Sequence, residues 1–121
     1  MHPYGEVILE HWRHPRNYGS LESPDIRHED VNPFCGDRVR IDVAMSADDT
    51  VREARFQGDL CVIAKAASSL LTEMITGARV DAIDEEQLLH ALNTEIQPAR
   101  RKCALLPLTV LRTGVAAWRP R

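Results

Sequence analysis

Aromatic side chains are scarce. Two Trp, two Tyr and two Phe make up 5% of 121 residues, so the interior has to be built from aliphatic side chains. Long apolar runs are missing as well. Nothing approaches the ~20 consecutive residues of a membrane-spanning helix, and the N-terminus carries no secretory pattern, so the expected location is the cytoplasm, with no membrane partner. Positive charge is not in excess: the net charge is −3, which offers no basic field to nucleic acid. Cysteine is rare and odd in number, at positions 35, 61 and 103, with no C-x-x-C pair. That excludes a disulfide framework and leaves zinc-finger and thioredoxin-type motifs without local support. Internal repeats, low-complexity stretches and domain boundaries are absent too, so one domain over residues 1–121 is expected.

What is present reads as one helix, then strands, then helices. Tyr4, Val7, Ile8, His11 and Trp12 recur at helical spacing and the run closes at His14-Pro15. Residues 19 to 33, with Gly19, Pro24 and Pro33 among polar residues, read as a loop or irregular edge. In "RVRIDVAM" Val39, Ile41, Val43 and Met45 alternate with Arg38, Arg40 and Asp42, the pattern of a half-buried strand. "ADD" then makes a turn into "VREARFQ", a second strand with Ala54 and Phe56 on one face, so a hairpin or meander is expected. From Cys61 a small-residue and aliphatic run predicts a buried helix, with Gly77 as its C-terminal stop. Asp84 and Gln87 form a capping box before a short helix, and Pro98 breaks the chain after it. Pro107 is expected to limit where the last helix begins. The order implies an α+β fold with helices covering one sheet face.

All three cysteines fall at element junctions: Cys35 before a strand, Cys61 opening a helix, Cys103 near the start of another. Each taken singly is also compatible with a small buried side chain. A helix start favours a thiolate, and Arg100, Arg101 and Lys102 beside Cys103 would favour it further, although such a basic run also suits a solvated turn. If the thiols converge, Asp37 supplies a fourth donor. Three thiolates and a carboxylate suit tetrahedral Zn²⁺, and the same set would hold a [2Fe–2S] cluster more loosely than four cysteines do.

Four stretches carry a family resemblance. "VILEHWRHPRNYG", "NPFCGDRVRI", "ARFQGDLCVIAKAASSLLTEMITG" and "PARRKCALLPLTVLRTGV" resemble, in order, segments of the IscU/SufU (NifU N-terminal-like) iron–sulfur cluster assembly scaffolds. The resemblance implies a small antiparallel sheet of about three strands with helices on one face. It implies Cys35, Asp37, Cys61 and Cys103 as ligands of a transient [2Fe–2S] cluster or of Zn²⁺. It also implies a cysteine desulfurase as sulfur donor and apo iron–sulfur proteins as recipients. Cys35 and Cys103 are both candidate acceptors of persulfide sulfur, with Arg100 and Lys102 stabilising the thiolate. Arg100 stands where SufU-type sequences carry an arginine, and Lys102 where IscU-type sequences carry histidine. The "LPPVK" stretch that a dedicated chaperone reads in IscU proteins is absent, while the short stretch between Cys61 and Cys103 is IscU-like. Leu60 replaces a glycine usual before the second cysteine; where that position needs φ > 0, the loop must differ.

The expected activity is therefore assembly of a labile cluster and its transfer to recipient proteins. The alternatives are a zinc-bound sulfurtransferase that accepts persulfide sulfur, and a non-catalytic domain with a structural zinc or none. Elsewhere, His2, His11, His14, His28 and His90 offer no ligand spacing except His11 with His14, expected to be partly exposed and not a site. Ser68 and Ser69 read as close-packing helix residues, Trp12 and Trp118 as core or interface.

Overall fold

The computed structural model describes residues 4–33 and 36–119. Its elements run α1 (Gly5–Arg13), β1 (Ile26–Val31), β2 (Arg38–Met45), β3 (Val51–Asp59), α2 (Val62–Ile75), α3 (Glu85–Ala91) and α4 (Arg101–Trp118). The three strands form one antiparallel sheet in the order β1-β2-β3. α2 lies against β3, and α4 against β1 and β2. This is the α+β arrangement expected, with a three-stranded sheet under helices.

The alternation in β2 and β3 builds the floor of the core. Val39, Ile41 and Val43 are buried beside Ala54 and Phe56, and their partners include Ala66, Ala67 and Leu71 on α2 and Leu108 and Val110 on α4. Complete burial of one such large apolar side chain contributes about 1.5–3 kcal/mol. Ser68 and Ser69 are fully buried on α2; Ser68 satisfies itself by donating to the Ala64 carbonyl at 2.8 Å. Where α4 crosses β1 the contact residue is Gly114, whose absent Cβ would lie 2.8 Å from Ile26 Cγ2, so only glycine permits that approach. α2 ends at Ile75 and Gly77 follows at φ +83°, while Asp84 and Gln87 make the reciprocal capping box at α3.

Four local expectations are corrected. Residues 26 to 31, "IRHEDV", are a strand and not loop: the segment has one buried apolar residue, and its extended form is imposed by pairing, Ile26 opposite Val43 through Val31 opposite Arg38. Pro107 lies inside α4, which already begins at Arg101. Its ring denies a donor to the Cys103 carbonyl, a loss offset by burial of Leu106, Leu108, Val110 and Leu111 around it. Asp42, placed by alternation on the open face, is buried by Arg27, Arg40 and the chain at Leu21. His11 is buried as well, because α1 turns it onto α2: Nδ1 shares a 2.8 Å hydrogen bond with Ser69 Oγ, which also accepts the Arg16 N–H at 2.8 Å. Trp12, on the flank of α1, is 38% exposed, whereas Trp118 packs against the core.

Candidate metal and sulfur site

Two helix starts and one hairpin loop meet at one end of the sheet. Cys61 is the N-cap of α2, and its Sγ accepts the Ala64 N–H at 3.4 Å. Burial pushes the Cys61 thiol above its ordinary pKa; the helix N–H opposes that rise, and the Asp37 carboxylate adds to it. Asp37 immediately precedes β2 and is 5% exposed. Its Oδ1 accepts the Cys61 N–H at 2.9 Å, so the carboxylate binds the loop and the helix start together. Cys103 is the third residue of α4 and is equally buried.

The loop leading to Asp37 is closed by its own backbone. Asn32 N–H donates to the Asp37 carbonyl at 2.7 Å, and Gly36 N–H donates to the Asn32 carbonyl at 2.8 Å. Gly36 makes that closure at φ +74°, a left-handed conformation that glycine adopts without steric cost. A carboxylate oxygen of Asp37, Sγ of Cys61 and Sγ of Cys103 all lie within 4.8 Å of one another. No other group of three His, Cys, Asp or Glu side chains is so placed among the described residues. Two soft sulfurs and one hard oxygen are a donor set that Zn²⁺ or an iron–sulfur unit accepts, and a fourth position is left for a further ligand.

Beside these donors opens a cavity of about 560 Å³, lined by Asn32, Cys61, Cys103, Arg100, Lys102, Pro98 and Ala99. Arg100 ends the 3₁₀ turn Pro98–Arg100, and Lys102 sits in the first turn of α4. Both cations singled out in the sequence thus line the same space as Cys61 and Cys103. Cys35 and His2 lie outside the described residues. His11 and His14 form no joint site; the nearest carboxylate to the His11 ring is Glu73, at 3.8 Å.

Two residues, Asn32 and Gly58, matter here without having been singled out for it. Asn32 is buried and lines the cavity; the Asn-Pro pair opening a turn was its only local signal. Gly58, at φ +156°, crosses β2 so closely that a Cβ would stand 1.9 Å from the Arg38 carbonyl oxygen. Leu60 is not among the residues at positive φ. Leucine therefore occupies the position before Cys61 without a left-handed backbone.

The sequence profile of the NifU-like N terminal domain family matches residues 3–121. The chain is 32% identical to the "Zinc-dependent sulfurtransferase SufU" of Bacillus subtilis, over 93% of this chain and 89% of that protein. It is 28% identical to the "Iron-sulfur cluster assembly scaffold protein IscU" of Escherichia coli, over 98% of this chain and 95% of that protein. Its fold superposes on the N-terminal NifU-like protein of Brucella abortus with a TM-score of 0.80 at 18% identity, covering 98% and 95% of the two chains. FiSufU of Fervidobacterium islandicum gives 0.79 at 23% identity, covering 93% and 96%. No described helix is long and apolar enough to cross a membrane.

Proposed function

The chain belongs to the NifU-like N terminal domain family, and from that membership we propose that it is an iron–sulfur cluster assembly scaffold, fed with sulfur by a cysteine desulfurase. One observation carries the reading: Asp37, Cys61 and Cys103 bring their donor atoms within 4.8 Å of one another beside an open, cation-lined cavity. Cys35, in the loop that Asp37 ends, completes the proposed ligand set.

Sulfur enters by exchange. A thiolate of Cys103 or Cys35 attacks the outer sulfur of the donor's persulfide and a new S–S bond forms. The donor's S–S bond breaks, and its electron pair leaves with the donor thiolate, so no external oxidant is needed. Arg100 and Lys102, on the cavity wall, stabilise the attacking thiolate and the incoming negative charge. Iron and sulfur are then cargo held by Cys35, Asp37, Cys61 and Cys103 and passed on to apo-proteins. Asp37 is the hardest of the four donors and the one that loosens the grip.

The second reading is supported by the 32% identity to a zinc-dependent sulfurtransferase. Zn²⁺ fits the same donors, and would supply a Lewis-acidic centre that keeps bound thiols as thiolates. On that reading Arg100 orients the incoming persulfide and no cluster is built. Anaerobic purification with metal analysis, followed by incubation with iron, cysteine and a desulfurase, separates the two. Visible charge-transfer absorption is the result expected of the scaffold. Colourless protein that retains one zinc and stimulates the desulfurase replaces it with the sulfurtransferase. Unfolding on metal removal, without any effect on a desulfurase, overturns both in favour of a structural zinc.

A further inference from the structure

The cysteine cavity has an exposed mouth and a buried floor. Of the described residues that line it, Pro98, Ala99, Arg100 and Lys102 are exposed and Cys61 is half-buried. Only Asn32 and Cys103 are buried. The floor therefore sets one thiol with one neutral carboxamide. Asn32 directly follows β1, and α4, which carries Cys103 in its first turn, packs on that strand.

Asn32 has little freedom. Its N–H donates to the Asp37 carbonyl at 2.7 Å, and its own carbonyl accepts the Gly36 N–H at 2.8 Å. Asp37 in turn accepts the Cys61 N–H, so Asn32 shares one frame with both ligand positions. With its backbone N–H committed to the loop, the donors Asn32 can present to the cavity are the N–H groups of its carboxamide. The cations differ in kind. Arg100 and Lys102 are long, exposed side chains, which attract negative charge without fixing where it rests. A buried amide held by its own backbone supplies direction instead.

We propose that Asn32 holds delivered sulfur in place: when Cys103 carries a persulfide, a carboxamide N–H of Asn32 donates to its outer sulfur. That atom bears the negative charge after transfer, because the donor's S–S bond has broken and its electron pair has left with the donor thiolate. A hydrogen bond to a charged acceptor is roughly twice as strong as one between neutral groups, so the amide stabilises the loaded form of Cys103 selectively. It also keeps the sulfur beside Cys61, the other thiol of the cavity wall. Arg100 and Lys102 are left to recruit the anion at the mouth. This assignment rests on the sulfur-acceptor reading above.

An equilibrium measurement tests it. The full chain, kept anaerobic, is equilibrated with cysteine persulfide and cysteine, and the persulfide on each of its cysteines is read by peptide mass spectrometry. Asn32→Ala is expected to lower the ratio of persulfide to thiol at Cys103 at least about tenfold, the size of one lost hydrogen bond to a charged group. Asn32→Asp keeps the shape and the acceptor oxygen but replaces the donor with negative charge, so its ratio should be lower still. A residue that only shapes the loop gives the opposite order, with Asn32→Asp nearer the parent chain. That order overturns the proposal, as do equal ratios in all three chains. Where neither variant folds, the parent chain decides: a side-chain N–H resonance of Asn32 should shift on persulfide formation, and an unmoved one overturns the proposal. Sulfur carried only on Cys35 overturns it too, while leaving the functional reading in place. A parent chain that takes up no sulfur, from this couple or from a desulfurase, refutes the functional reading itself.

Discussion

Asp37 and Asp42 are aspartates at the start and middle of the same stretch of chain, both buried, and they are answered in opposite ways. Asp42 receives Arg27 through both carboxylate oxygens at 2.9 Å, the Leu21 N–H at 2.9 Å, and Arg40 at 3.3 Å. It is a carboxylate saturated by cations and an amide, and it fastens residues 21 to 27 onto the sheet. Asp37 accepts the Cys61 N–H on Oδ1 and lies with two sulfurs within 4.8 Å. Burial of a carboxylate therefore marks structure at one end of the strand and a ligand position at the other. The partners distinguish them, since guanidinium groups neutralise the charge in place, whereas thiols bring no cation and, once ionised to bind a metal, would add negative charge for that metal to balance.

The sharpest way to break this comparison is Asp42→Ala. It leaves Arg27 and Arg40 without their carboxylate and should cost about 3 kcal/mol of unfolding free energy, the low end for a broken buried pair because Arg27 is half exposed. Urea unfolding measures it, and metal content per folded chain should not change. Asp37→Ala should do the reverse. It loses about 1 kcal/mol with the Cys61 N–H bond, but cluster release to an apo-protein slows more than assembly is weakened. Faster loss of the cluster than in the parent chain would sink the view of Asp37 as the labile ligand.

Smaller changes sharpen the same contrast. Gly36→Ala places a side chain at φ +74° with open space around it, so it should cost only about 1 kcal/mol, from backbone strain. Its metal affinity should fall along with its stability, because the strain lies in the loop that ends at Asp37. The smallest effect expected is on pH dependence. Burial and the Arg16 charge hold the His11 ring below its ordinary value of 6.5, against the pull of Glu73 and Glu10. The neutral ring is thus the favoured folded form. Its stabilisation is complete above 6.5 and is lost as pH falls through the lower folded value. The urea midpoint should decline on acidification, and His11→Asn should flatten that decline at unchanged metal content.

Much of the fold was legible because its signals are local. The alternation from Arg38 to Met45, the capping box of Asp84 and Gln87, and the change of period at Cys61 each depend on neighbours within a few residues. β1 was not legible. Its one buried apolar residue carries no alternation, and the strand exists because β2 offers a ladder to pair with. His11 was misjudged for a related reason: its burial depends on Ser69, a residue far along the chain.

The sequence by itself determined the class of fold, the junction positions of the cysteines and the segments that mark the family. Tertiary structure alone decided that Asp42 is buried too, and which partners answer each of the two aspartates. It brought Asp37, Cys61 and Cys103 within 4.8 Å and left one sheet edge open beside them. The physical reason is that periodicity reports how a residue sits on its own element. The partner that satisfies a buried charge comes from wherever the packed chain happens to return, and Arg27 returns to Asp42 while Cys61 and Cys103 return to Asp37.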